Sequence, residues 1–407
     1  RGDREAIPDE LYRGDGLSIY TSQMEIGSST IDFASATPSP DLFPVEDFKI
    51  VLNEILERDK GSAFGYQESQ GYLPLREAIC GVLKKGSITC SPASIHVISG
   101  AQQGIDIISK AFLQNGDYVI AESPTYTGAI AVFKSRGAKI ADVSLTKDGP
   151  SLSVLEYHLE KLRPKFIYSI PSFQNPTGYS YSNSKREKII ELAKKYDAYI
   201  IEDDYVSELD FEDRGFLPLK AMDDSNRVIY IKSFSKIFMP GLRLGFMVVP
   251  DRFSQNLIEA KHTTDISTSG LIQRAFDLYI RRGFWDKHLS FMYGIYNKRY
   301  SAITKALDEM LPHDVGYYKP GGGLNLWLEF PYGFPVVSLF KKASANDVVF
   351  APGGVFYSGS QPQSDNNIRI SFASVSESDI GPGIEKLCRI IKEIMGGNEL
   401  TTSIRIL

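Results

Sequence analysis

Lys236 stands in "IKSFSKIFMPGLRLG" (231–245), beside Ser233 and Ser235 and seven residues before Arg243. The apolar run "VIYIKS" leads directly into it. A lysine at the mouth of a core strand either reaches out to water or loses its proton more readily than usual. Desolvation and nearby cations favour the neutral amine, which can form a Schiff base with an aldehyde. Ser233, Ser235 and Arg243 offer hydroxyl groups and a fixed positive charge, the equipment for holding a phosphate. Pyridoxal 5'-phosphate (PLP) is an aldehyde that carries a phosphate.

That chemistry requires further parts. The pyridine nitrogen of PLP needs a carboxylate to keep it protonated. "YIIEDDYVSE" places Asp203, Asp204 and Tyr205 at the end of an apolar run, where unpaired acids are costly. Tyr205, together with Asn175 of "IPSFQNPTG", can donate to the ring oxygen, although Asn-Pro alone also reads as a turn. "ISGAQQG" (98–104) reads as strand, glycine turn and helix start. It puts the N–H groups of Ala101 and Gln102 where a helix N-terminus binds phosphate. Tyr126 in "ESPTYTGA" can stack on the pyridine. Arg369 in "NNIRISFAS" suits the carboxylate of an amino-acid substrate, with a buried ion pair as its other reading.

The elements that must position these residues alternate. Short apolar runs occur at "IHVIS", "DYVIAES", "KIADVSL", "KFIYSIPS", "AYIIEDD", "RVIYIKS" and "RLGFMVVP", mostly separated by helical patterns. That alternation predicts a parallel or mostly parallel sheet covered on both faces, with ligands at the carboxyl ends of its strands. A helix is expected over about 45–58, and another long one over about 285–310. "LNLWLEF", "VVFAPG" and "IRISFAS" then lead to a closing helix near 377–395, which reads as a smaller α+β domain. The expected division is an arm (1–30), the first part of the small domain (31–59), a large PLP-binding domain (60–290) and the C-terminal small domain (291–407).

Composition narrows the partners. With 407 residues and a net charge of -5, the chain has no global basic field for nucleic acid or an anionic membrane. Cys80, Cys90 and Cys388 lack paired spacing and read as reduced thiols, and the five histidines lack metal-ligand spacing. No apolar run reaches the ~18 residues of a membrane span. A cytoplasmic location is expected.

The motifs "SGAQQ", "SPTYTGA", "PSFQNPTG", "IEDDY", "SFSK…GLRLG" and "IRISFA" follow in one order over about 31–395. That order resembles the fold-type I PLP-dependent aminotransferases of class I/II. The nearest branch is the one with 2-aminoadipate and kynurenine aminotransferases and the aminotransferase-like domain of MocR-type (GntR family) transcription regulators. The resemblance implies an α/β fold with a mostly parallel mixed sheet, helices on both faces and a smaller α+β domain. It also implies that Lys236 carries PLP and moves the proton, that Asp203 pairs with the pyridine nitrogen, and that Tyr205 and Asn175 bond the ring oxygen. Ala101, Gln102, Ser233 and Arg243 would hold the phosphate, Tyr126 would stack on the ring and Arg369 would take the α-carboxylate. Tyr66, in "FGYQESQGYLPLREAI", matches the position that reaches the neighbouring subunit's phosphate, which implies a homodimer.

Two features depart from the aminotransferase pattern. Tyr205 follows Asp203 by two residues rather than three, as in MocR-type domains, and Ala36 stands where a glycine near the substrate is usual. Three functions follow as alternatives: an aminotransferase acting on an amino acid and a 2-oxo acid; the PLP-sensing effector domain of a MocR-type regulator; and a PLP lyase or decarboxylase. No winged-helix pattern occurs, so nucleic-acid binding by this chain alone is not expected.

Overall fold

A computed structural model describes residues 29–359 and 366–403; the expected arm falls outside them apart from its last two residues. Short β1 (Ile31–Asp32) is followed by eight strands that form one sheet: β2 (Ile95–Ile98), β3 (Tyr118–Ser123), β4 (Lys139–Thr146), β5 (Gly149–Pro150), β6 (Phe166–Ser169), β7 (Tyr199–Asp204), β8 (Val228–Ser233) and β9 (Gly245–Val248). The strand order is β2-β9-β8-β7-β6-β3-β4-β5. Neighbours from β8 through β4 are parallel, whereas β9 runs antiparallel to both β2 and β8, and β5 antiparallel to β4.

This topology gathers the motifs. The carboxyl ends of β2, β3, β6, β7 and β8 all emerge on one edge, and β9, being reversed, begins there. The segments bearing Ala101, Tyr126, Asn175, Tyr205 and Lys236 therefore meet, with Arg243 just ahead of β9. β2, β6, β8 and β9 are buried throughout, which is why they read as unbroken apolar runs. β4, next to the edge, alternates between covered and open positions.

The expected helices appear as Val45–Asp59, Ala101–Phe112, Thr127–Ser135, Asn183–Lys195 and Phe284–Met310, and the closing helix runs from Glu377 to Ser403. Helix Leu73–Lys85 is one the residue pattern does not single out. Pro74, which reads as a breaker, is tolerated in a helix's first turn because no intrahelical bond is lost there. After the long helix come β10 (Gly316–Tyr317), β11 (Asn325–Glu329), β12 (Val348–Val349), β13 (Ala351–Pro352) and β14 (Asn367–Ser371). β10-β11-β14-β13 make a second, antiparallel sheet, and β12 pairs in parallel with β1. Arg369 lies in the middle of β14, opposite Trp327 on one side and Ala351 on the other.

One buried arginine organises the turn that carries Asn175. Arg186, fully enclosed, donates to the carbonyls of Tyr181, Leu217 and Pro171 and to the Ser172 hydroxyl. Cys80 and Cys90, unpaired by spacing, come within 3.4 Å of each other and remain free thiols.

Candidate active site

Gly100, Ala101, Gln102, Tyr126, Asn175, Asp203, Tyr205, Ser233, Ser235, Lys236 and Arg243 line one cavity of about 110 Å3 at this edge of the sheet. Each of them comes from the motifs singled out in the sequence. Arg369 joins them from β14: its Nη1 donates to Asn175 Oδ1 at 2.9 Å and its Nη2 to the Ala34 carbonyl. Ala36 is buried two residues beyond that carbonyl. Tyr66 is 85 % exposed and stands apart from the cavity.

Strand alternation separates the two adjacent acids. Asp203 faces the cavity: Oδ2 accepts the Tyr168 hydroxyl at 2.6 Å, while Oδ1 is buried without a partner among the described residues. Burial, with the Asp204 and Glu122 carboxylates nearby, pushes its pKa up to about 6. Asp204 turns to the opposite face. There it takes Lys232 Nζ at 3.0 Å and the Tyr230 hydroxyl at 2.6 Å, and Lys232 also pairs with Glu208 at 2.6 Å. The second acid is thus neutralised and kept from the cavity.

Lys236 is partly buried, and no hydrogen bond or ion pair to its Nζ occurs among the described residues. Burial, and then the positive charges of Arg369 and Arg243, lower its pKa to about 8. The long helix Phe284–Met310 grips its turn from behind. Tyr296 donates its hydroxyl to the Lys236 carbonyl at 3.2 Å, and His288 Nε2 lies 2.8 Å from the Ile237 carbonyl.

The phosphate end is built from backbone. Helix Ala101–Phe112 starts at Gly100, whose φ of 92° favours glycine, so the Ala101 and Gln102 amides fall in the first turn, ahead of any intrahelical acceptor. A Cβ at Gly100 would lie 2.8 Å from Arg243 Nη2, so the close approach of that guanidinium requires glycine. Arg243 is anchored by a 2.8 Å bond from Nη2 to the Ser99 carbonyl. Tyr126 is held by a 3.1 Å bond to Gln102 Oε1.

These features fit PLP on structural grounds. There is an unpartnered amine with a depressed pKa, an orphaned buried carboxylate oxygen, and a helix N-terminus with a cation beside it. The class I and II aminotransferase family model matches residues 28–387.

The chain belongs to that family.

Among relatives, the aminotransferase is 34% identical to aromatic-amino-acid aminotransferase 1 of Thermococcus litoralis, covering 90% of this chain and 89% of that protein. It is also 34% identical to the 2-aminoadipate transaminase of Thermus thermophilus, covering 90% and 91%. The HTH-type transcriptional regulator YisV of Bacillus subtilis is 30% identical over 95% of this chain and 78% of its own length. Among solved structures, a kynurenine aminotransferase of Pyrococcus horikoshii superposes with a TM-score of 0.85 at 33% identity, covering 90% and 92%. The cofactor is PLP and the function PLP-dependent transamination; neither the sensor nor the lyase alternative is favoured. No helix among the described residues is long and apolar enough to cross a membrane.

Sequence reasoning missed the residues that orient this aminotransferase's site from behind. Asn325 on β11 donates Nδ2 to the Tyr205 hydroxyl at 3.1 Å, and Tyr205 donates to the Phe173 carbonyl. Asn325 is the polar letter inside "LNLWLEF", a signal in itself. Tyr168 and Tyr296 carry no such signal, because aromatic residues in apolar runs are ordinary core.

The lysine's depressed pKa has a kinetic consequence. At pH 7 roughly a tenth of a group with pKa 8 is neutral, against far below one per cent for an ordinary lysine. The rate at which apo-protein attaches PLP should rise with pH to a midpoint near 8, followed by the absorbance of the attached cofactor. Arg369→Leu removes a cation that disfavours the ammonium, so the midpoint should move upward. A midpoint above 10 in the unaltered protein would contradict the role given to Lys236.

Proposed function

We propose that this chain transfers the amino group of an α-amino acid to a 2-oxo acid, with Lys236, Asp203 and Arg369 as its working residues. The observation that carries the assignment is that Lys236 and the orphaned Asp203 Oδ1 share one cavity, to whose lining residue Asn175 Arg369 is bonded from a separate sheet. When bound, PLP supplies a ring that takes up the electron pair left on the substrate's Cα.

The chain's own groups do the rest. Asp203 Oδ1 would hold a proton on the pyridine nitrogen. Ala101, Gln102, Ser233, Ser235 and Arg243 would bind the phosphate, and Asn175 and, once its proton leaves the Phe173 carbonyl, Tyr205 would orient the ring oxygen. Tyr126, on the cavity wall, would cover one face of the ring and exclude water. Arg369, lowered by burial to about 10, still carries its charge at neutral pH and takes the substrate carboxylate with its guanidinium fork. Asn175 both lines the cavity and accepts from Arg369, so one side chain would tie carboxylate recognition to cofactor placement. Lys236 Nζ would take the proton from the substrate's Cα and hold it for return, a transfer its pKa near 8 suits.

The unit we propose is a cytoplasmic homodimer. Tyr66, at 85 % exposure, and Phe64, at 70 %, lie two residues apart on a surface a second copy would cover. Tyr66 would then reach the phosphate of the neighbouring copy.

The test is a half-reaction. PLP-loaded protein mixed with one amino donor and no acceptor should yield about one equivalent of 2-oxo acid per site, and a 2-oxo acid should then reset it. Amine and carbon dioxide in place of the 2-oxo acid, or no product from any donor, would overturn the proposal.

A further inference from the structure

Glu122 is the next-to-last residue of β3, ahead of the Ser123–Pro124 peptide, and is 4 % exposed. Its four hydrogen-bond donors among the described residues are all neutral. Oε1 accepts the Ser169 hydroxyl at 3.1 Å, the Ile170 N–H at 2.6 Å and the Tyr181 hydroxyl. Oε2 accepts Gln174 Nε2 at 2.8 Å. Gln174 is fully enclosed, and its amide is used up: Nε2 also donates to the Pro124 carbonyl at 2.8 Å, while Oε1 accepts the Thr177 N–H at 3.0 Å and hydroxyl at 2.7 Å.

That arrangement has one solution. Glu122 and the Pro124 carbonyl only accept, so Gln174 must present its nitrogen to them and its oxygen to Thr177. The pair locks the turn after β3, which ends at Tyr126, to the turn after β6, which carries Asn175. Through Asn175 the constraint passes to Arg369. We infer that Glu122 is a positioning residue, setting the angle at which Asn175, Arg369 and Tyr126 meet cofactor and substrate. This rests on the roles proposed above for those three.

The isosteric Glu122→Gln variant tests it, because an amide fails in either orientation. With its nitrogen on the Oε2 side it faces the nitrogen of Gln174; with its nitrogen on the Oε1 side it faces the Ile170 N–H. A donor opposes a donor both ways. The expected result is a rise of about tenfold or more in KM for the amino donor and in the Kd for PLP, with a smaller change in kcat. PLP binding is read by titrating apo-protein and following protein fluorescence, which needs no turnover. Adding Gln174→Glu to Glu122→Gln restores the amide–carboxylate bond between the two side chains but sets a carboxylate oxygen against the Pro124 carbonyl, so part of the KM and Kd change, and not all of it, should be recovered. Should Glu122→Gln fail to fold, Gln174→Leu leaves Glu122 its other three donors and should give the same shifts. A folded variant with a lowered Tm but KM and Kd within twofold of the unaltered protein would show a purely structural role and overturn the inference. Absence of 2-oxo acid from the unaltered protein would instead count against the proposed function, and the Kd comparison would still stand.

Discussion

Lys236→Ala should lower kcat by at least about 10⁴-fold while leaving the fold as stable as before. General acid–base groups contribute roughly 10²–10⁴ by themselves, and this lysine also anchors the cofactor. Stability is spared because the ammonium is desolvated, sits near the cations Arg369 and Arg243, and has no bonding partner among the described residues whose loss would be felt. Single-turnover assays read the loss in rate, and thermal unfolding of the apo-protein reads stability. Borohydride reduction and peptide mapping of the PLP-loaded protein should place a pyridoxyl group on Lys236 in the unaltered chain and on no lysine in the variant. A tag on another lysine would refute the assignment, whatever the kinetics.

Asp203→Asn should lower kcat by about 10²–10⁴-fold with PLP still bound. The variant keeps an acceptor for the Tyr168 hydroxyl, so the strand end is preserved. In place of the orphaned Oδ1 it presents an N–H, which can only face an unprotonated ring nitrogen. The same substitution has a signature in the apo-protein. Asp203 has a folded pKa near 6, above that of an unfolded aspartate, so its contribution to stability is full below about pH 4 and is lost as pH rises through 6. The gap between its folded and unfolded pKa corresponds to about 3 kcal/mol. Urea unfolding of the apo-protein from pH 4 to 7 should lose about that much more stability in the unaltered chain than in Asp203→Asn. Glu202, raised to about 7 by burial, adds a slope of the same sign to both and cancels in the comparison. Parallel pH profiles would show that Asp203 is not the destabilised acid described above.

The site is legible in the sequence because its parts are local. Each motif is a strand end plus the next few residues, and strand-plus-turn is a short-range feature of a chain. Lys236, the acid pair Asp203 and Asp204, Asn175, Ala101, Gln102, Tyr126 and Arg243 can be named from residue types that, taken together at such ends, make sense as chemistry. The parallel sheet is legible for a similar reason: strands covered on both faces do not alternate and so read as continuous apolar runs. The antiparallel course of β9 leaves no such mark, because a buried strand has the same composition in either direction.

The order of residues alone therefore dictates the inventory of the site and the cofactor it suits. Which of two neighbouring acids faces the cavity is decided by tertiary structure, since it depends on the pleat of β7 and on Lys232 waiting on the adjacent strand for Asp204. The folded chain also decides that Arg369, from a different sheet, meets Asn175, and that Glu122 and Gln174 bind two turns together. Those pairings join residues 52 to 194 positions apart. Contacts at that range follow from strand order and packing, which no local pattern of residues encodes.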